Sequence, residues 1–298
     1  KEGTKANADR KEYGMLEEIC GSTNLNIAFK KVKRNRGAGG VDKMTVDELL
    51  GYLRNNGKVL VQSILDGTYR PSPVRRVEIP KENGKKRGLG IPTAVDRVFQ
   101  QAISQVLTPV YEPEFTETSY GFRPGRSAHD AIRKCLEYAN EGYTWTVDMD
   151  LEKFFDTVNQ DKLVEILGRK IKDGLVISLI RKYLKAGVMV GAEYRDSDMG
   201  VPQGGNLSPL LANVMLNELD RELEKRGHRF VRYADDMVIF CKSKASAKQT
   251  LEHILPFIEG KLFLKVNREK TKVADVSGIK FLGYGFRYTK DGVRATVH

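Results

Sequence analysis

Residues 230–240, FVRYADDMVIF, set two runs of aromatic and β-branched residues on either side of Ala234, Asp235 and Asp236. Adjacent carboxylates repel, and on an extended strand they would point to opposite faces. A tight turn removes the geometric objection, so the stretch predicts a β-hairpin over 228–242 with both acids at its tip. From this stretch alone an ordinary acidic turn is the stronger account, because Asp bonds its own backbone and tolerates unusual torsions. The alternative is a hairpin that projects both carboxylates into one site. There a hard divalent cation such as Mg²⁺ would offset the repulsion.

A partner for those acids lies in TWTVDMDLEKFFD, where a β-rich run ends at Asp150 with Asp148 two residues before it. The two share a strand face, so spacing admits either as a ligand, and both could instead cap the following turn. Three carboxylates from two strand ends could hold two metals for in-line phosphoryl transfer, the arrangement polymerases use.

Elsewhere the chain alternates element types without a low-complexity linker. Apolar spacing predicts one or two short helices over 13–33, further helices over 45–65 and 95–115, two over 159–186, a long one from about Ser208, and another over 245–260. NRGAGGVD (35–42) is a glycine-rich loop without the Lys and Ser/Thr of a P-loop. Residues 74–91 read as a hairpin around ENGK, studded with Arg75, Arg76, Lys81, Lys85, Lys86 and Arg87. That hairpin is either a solvated basic ribbon or a clamp for a phosphate-bearing ligand. In YGFRPGRSAHDAI a Gly/Pro loop leads to a helix capped by Ser127, and short strands are expected over 188–195 and 272–297.

The formal net charge of +11 over 298 residues favours a polyanionic partner, nucleic acid before an anionic membrane surface. Three scattered cysteines (Cys20, Cys135, Cys241) give neither a zinc spacing nor a disulfide framework, which suits a reducing compartment. The polar start is no secretory signal, and no apolar run could span a bilayer.

In order, PKENGKKRGLGIP, YGFRPGRSAHDAI, DMDLEKFFD, GVPQGGNLSPLLANVMLNELD, RYADDMVIF, VNREKTKV and KFLGYGF resemble the successive blocks of reverse transcriptases, in the form carried by group II intron-encoded proteins, or maturases. The resemblance runs from about residue 15 to the end. It implies an α+β fold: right-hand polymerase fingers and palm, with an antiparallel palm sheet backed by helices. It divides the chain into a disordered or linker N-terminus at 1–12, fingers with a group II-type N-terminal extension at 13–118, and mainly palm with some fingers elements at 119–298. A thumb or maturase domain is not expected within these residues.

The function implied is RNA-directed DNA synthesis on an RNA template with a DNA primer and dNTPs, in a parent protein that also binds group II intron RNA during splicing and retrohoming. Asp150, Asp235 and Asp236 correspond to the catalytic, metal-binding acids, which take two Mg²⁺ ions with Mn²⁺ as a substitute. Lys81 and Arg87 fall where the family grips the triphosphate. Phe155 falls where an aromatic lies under the sugar, Gln203 near the incoming nucleotide, and Lys272 among the active-site elements. Arg123 and Arg126 suit template phosphates or the tying down of a loop. Lys30, Lys31, Lys33, Arg34 and Arg36 of the upstream block suit an RNA backbone. The family's setting implies bacterial cytoplasm or an organelle, no membrane contact, and a homodimer if an apolar face is left uncovered. Retron, diversity-generating and CRISPR-associated reverse transcriptases remain alternatives, as does a splicing-only RNA-binding maturase.

Overall fold

The computed structural model describes residues 14–80, 84 and 86–297, with only the backbone of Arg87. Lys81 and the expected linker at 1–12 lie outside the described residues. In chain order the elements are α1 (Met15–Cys20), α2 (Ser22–Arg34), α3 (Leu49–Leu65), β1 (Val74–Pro80), β2 (Lys86–Ile91), α4 (Ala94–Tyr111), α5 (Ala128–Asn140), β3 (Trp145–Met149), α6 (Phe154–Thr157), α7 (Gln160–Lys170) and α8 (Gly174–Leu184). They continue with β4 (Val188–Val190), β5 (Glu193–Arg195), α9 (Ser208–Lys225), β6 (Arg229–Tyr233), β7 (Asp236–Cys241), α10 (Lys244–Gly260), β8 (Lys272–Asp275), β9 (Lys280–Phe281), β10 (Tyr284–Thr289) and β11 (Gly292–Val297). This is the α+β class expected from the sequence. Among the described residues no helix is long and apolar enough to cross a membrane.

The chain divides into two compact units, each assembled from separate segments: 1–110 with 164–208, and 111–163 with 209–298. In the first, β1 and β2 pair as the antiparallel hairpin read from the sequence, Arg75 opposite Ile91 and Ile79 opposite Arg87. β1 also pairs with β4 in parallel, giving the strand order β2-β1-β4-β5. Buried Asp96 accepts bonds from the Tyr69 hydroxyl (2.7 Å), the Thr93 hydroxyl (2.7 Å) and the Ser72 amide (3.1 Å), so no polar atom of its carboxyl depends on water. Asp173 caps α8 and accepts the Leu16 amide at 3.0 Å, joining α1 to α8. The glycine loop is no free connector: Arg75 donates to the Gly39 carbonyl (2.7 and 3.0 Å) and Arg97 to the Ala38 carbonyl (3.0 Å).

The second unit is built on an antiparallel sheet in the order β6-β7-β3-β8. Met237–Cys241 are all buried, as a strand covered on both faces requires. Val238 and Phe240 join a core with Ile132 and Cys135 of α5. On the other face Cys241 meets Thr250 of α10 (Sγ to Oγ1, 3.7 Å). The helix α5 begins at the expected Ser127, whose side chain forms a capping box with Asp130. It ends at Asn140, whose amide bonds the backbone of Val293 on β11 at 2.8 and 3.1 Å. A separate antiparallel sheet, β11-β10-β9, completes the unit.

Candidate active site at the hairpin tip

β6 and β7 form the predicted hairpin, with Tyr233 paired to Asp236 and Ala234 and Asp235 as its two-residue loop. Ala234 takes φ +56°, the left-handed region that a tight hairpin loop demands and that alanine adopts at a cost. Two features hold it there. Its carbonyl accepts from Arg232 Nη1 at 2.8 Å. Gly121 lies directly beneath, so close that a Cβ on residue 121 would collide with the Ala234 backbone nitrogen.

Arg232 is fully buried and shares both carboxylate oxygens of equally buried Asp220 at 2.6–3.0 Å. It also donates to Asn213 Oδ1 (2.9 Å) and Ser119 Oγ (2.8 Å), and Asn213 in turn donates to the Gly121 carbonyl (2.9 Å). Burial pushes the Asp220 carboxyl above the usual range, and the Arg232 guanidinium offsets part of that. The network therefore ties α9, the 119–121 segment and the hairpin loop into one piece.

β3 runs alongside β7 with Met149 opposite Met237. Asp150 follows Met149 and Asp236 precedes Met237, so the two acids flank the last pair of this ladder at the same end of the sheet. The Asp150 backbone is anchored by the 267–271 turn: its amide donates to Thr271 Oγ1 (3.1 Å), and its carbonyl accepts the Asn267 amide (2.8 Å). That turn brings Lys270 Nζ to 3.3 Å from Asp150 Oδ2. Lys272, the lysine singled out from the sequence, sits instead 3.8 Å from Asp148 Oδ2 and donates to the Gly278 carbonyl at 3.4 Å. Burial raises the Asp148 carboxyl above its usual range; Lys272 opposes that and Asp150 adds to it.

Asp150, Asp235 and Asp236 thus converge as backbone positions at one end of one sheet. Among the described residues no group of three His, Cys, Asp or Glu side chains is gathered tightly enough to grip an ion. Like charges separate, and Asp150 turns to Lys270 as its countercharge. The donor set still fits a hard divalent cation, being all carboxylate, half-exposed or exposed, and carried at the strand ends and the turn between them.

The other expected residues divide sharply. Arg123 does not reach for phosphate: it is buried, and its donors are taken by Glu112 (2.7 Å) and by the Thr116 and Ser119 carbonyls (2.7 and 2.8 Å). Its role is the alternative one, tying a loop down. Arg126 is held by the Glu117 side chain (2.7 Å) and carbonyl (2.6 Å) over the Tyr120 ring. Phe155 and Phe154 are both buried and meet edge-on at 5.2 Å.

In the first unit, the Gln203 carbonyl accepts the Gly90 amide at 2.6 Å. Gly204, at φ +110°, approaches the Gly90 carbonyl so closely that only glycine fits, which locks the VPQGG loop onto β2. Lys30, Lys31, Lys33, Arg34 and Arg36 are all exposed around the C-terminal end of α2.

Sequence reasoning missed Arg232, Asp220, Asn213, Gly121 and Lys270. A signal for the first existed: a charged residue inside the apolar strand Phe230–Tyr233 must find a buried partner.

The family model described as reverse transcriptase (RNA-dependent DNA polymerase) matches residues 79–286. Protein YkfC of Escherichia coli K12 is 37% identical over 82% of this chain and 74% of its own length. The group II intron-encoded protein LtrA of Lactococcus lactis subsp. cremoris is 34% identical over 89% of this chain. This chain spans 55% of LtrA. Among solved structures, a chain of the partial Cas6-RT-Cas1–Cas2 complex matches with a TM-score of 0.52 at 24% identity, over 84% of this chain and 43% of that one, a likeness of fold.

Proposed function

The chain belongs to the reverse transcriptase family, has the right-hand polymerase fold and counts group II intron-encoded proteins among its relatives; from that premise we propose that Asp150, Asp235 and Asp236 are its catalytic acids. Family membership carries a general dependence on a divalent metal and a nucleic-acid template. The observation that supports the finer reading is the pairing of Met149 with Met237, which leaves Asp150 and Asp236 at the same end of neighbouring strands, with Asp235 beside Asp236 on a braced turn.

The reaction proposed is extension of a DNA primer on an RNA template with dNTPs. The three carboxylates would hold two Mg²⁺ ions, or Mn²⁺ in their place. Bound there, such ions lower the pKa of the primer 3′-hydroxyl and offset charge on the leaving pyrophosphate. The chain's own residues fix where this happens. Arg232 and Gly121 set the loop that carries Asp235, and Thr271 and Asn267 set the backbone of Asp150. Lys270 orients the Asp150 carboxylate through its 3.3 Å contact with Oδ2.

Lys81, Arg87 and Gln203 are assigned to the incoming dNTP on the family pattern. The bond from Gly90 to Gln203 supports this by tying the Gln203 loop to the strand that carries Arg87. Phe155 is assigned to the sugar, and Lys272 to support of the acid-bearing strand through Asp148. For the parent protein the partner assigned is group II intron RNA, with the exposed basic end of α2 as its contact.

Primer extension on an RNA template, with dNTPs and Mg²⁺ or Mn²⁺, tests the assignment. Asp235→Ala combined with Asp236→Ala should abolish extension while keeping RNA affinity within a few-fold. Equal extension by the double variant would overturn the assignment.

A further inference from the structure

At the end of the second unit's sheet remote from the acids, β3 starts at Trp145, β6 starts at Arg229 and β7 ends at Cys241. The register brings them together, Trp145 opposite Cys241 and Arg229 opposite Phe240. The acids lie at the other end of the same strands, about 16 Å away at the rise of an extended chain. Here aromatic rings and cations alternate. The Arg229 guanidinium carbon lies 4.3 Å from the centroid of the Tyr143 ring, and Lys242 Nζ lies 5.2 Å from it. Next along the edge, Lys244 Nζ stands 5.5 Å from the Trp145 ring. A cavity of about 460 Å³ opens beside Tyr143, with His228, Gln249 and His253 among its walls.

The charges are not balanced within the fold. Arg229 reaches Glu141 at 3.4 Å and Arg226 reaches Glu222 at 2.7 Å. Exposed Lys242 and Lys244 meet no carboxylate at ion-pair distance among the described residues. A ligand that suits such a strip brings repeated negative charge together with flat π faces. A folded acidic protein would satisfy the lysines but not the alternation of rings.

We propose that this edge is a second nucleic-acid site, which takes an unpaired stretch of polynucleotide with its phosphates on Lys242 and Lys244 and its bases against Tyr143, Trp145 and the adjoining cavity. It is separate from the catalytic acids and does not depend on their assignment. Both an RNA strand and a DNA strand carry this chemistry.

The test is fluorescence anisotropy with labelled oligo(U) and oligo(dT) of about 20 nucleotides, titrated over a range of salt concentrations. Lys242→Gln with Lys244→Gln should flatten the plot of log affinity against log salt by about 1.4, at roughly 0.7 for each single-strand phosphate no longer neutralised. Both lysines are exposed, so an unchanged thermal midpoint should accompany the change. Tyr143→Leu keeps the charge and should weaken binding at least about fivefold with the slope retained, as removal of a stacking face predicts. A change confined to oligo(U) identifies RNA as the occupant, one confined to oligo(dT) identifies DNA, and an equal change on both identifies their shared backbone. An unaltered slope in the lysine variant on both probes overturns the proposal, whatever happens to absolute affinity.

Discussion

Arg232 is among the largest side chains the fold buries completely, and it sits two residues before the left-handed loop position that aims Asp235. A guanidinium there cannot be a sequence accident, because an unpaired buried charge is not tolerated. The acids were legible as candidates: Asp235 and Asp236 sit at a turn signal, and Asp150 ends a β-rich run with Asp148 two residues before it. Their supports were not, because Gly121, Asn213 and Asp220 are ordinary residues until the fold brings them within bonding distance. Lys270 and Lys272 illustrate the same limit. Two lysines two apart look equivalent in sequence, yet the turn at Asn267 gives one to Asp150 and the other to Asp148. Asp148 offers a test at this scale. Its carboxyl is raised by burial, so protonation favours the fold; that contribution is complete below the unfolded value and is lost as pH rises through the folded one. Asp148→Asn should therefore raise the thermal midpoint at neutral pH, and the gain should vanish as pH falls to the range where Asp148 itself is protonated. Thermal melts across that pH range check both halves of the statement.

Elements were the most legible level, since helix and strand periodicity are local. The hairpins over β1–β2 and β6–β7, the capped start of α5 and the start of α9 at Ser208 all lie where the residue pattern put them. What the pattern withheld is how elements are bolted to one another. The Arg232–Asp220 pair joins β6 to α9, and its cost is asymmetric. Asp220→Asn leaves a buried guanidinium without its countercharge and should lower the free energy of unfolding by about 3–5 kcal/mol. Replacing both partners, Arg232→Met with Asp220→Leu, removes the charge problem and should recover much of that deficit. Urea unfolding of the three proteins decides it. If the double variant is no more stable than Asp220→Asn, the ion pair is not what joins β6 to α9. Arg123 carries the opposite lesson: a basic residue in a basic protein suggested phosphate, but Glu112 and two carbonyls enclose it and make it a loop fastener.

For the molecule as a whole, a net charge of +11 sets long-range attraction for polyanions before any specific contact forms. The five exposed cations at the end of α2 should contribute to it as a group. Changing Lys30, Lys31, Lys33, Arg34 and Arg36 to Gln should cut the drop in affinity between 50 and 200 mM salt by about a hundredfold for a single-stranded RNA. Filter binding at the two salt concentrations measures it, and an unchanged drop would remove α2 from the RNA interface. Composition and the ordered blocks determined by themselves the family, the element types and the preference for nucleic acid, because each depends on residue type and short-range spacing; spacing alone left Asp148 and Asp150 as equal candidates. Only the tertiary structure decided that 164–208 joins the segment 1–110, that Met149 pairs with Met237 and so brings Asp150 and Asp236 to the same end of the sheet, and that Arg232 with Gly121 braces the loop between Tyr233 and Asp236. Those facts rest on pairings between residues far apart in the chain, and local periodicity specifies which face an element buries but not which partner buries it.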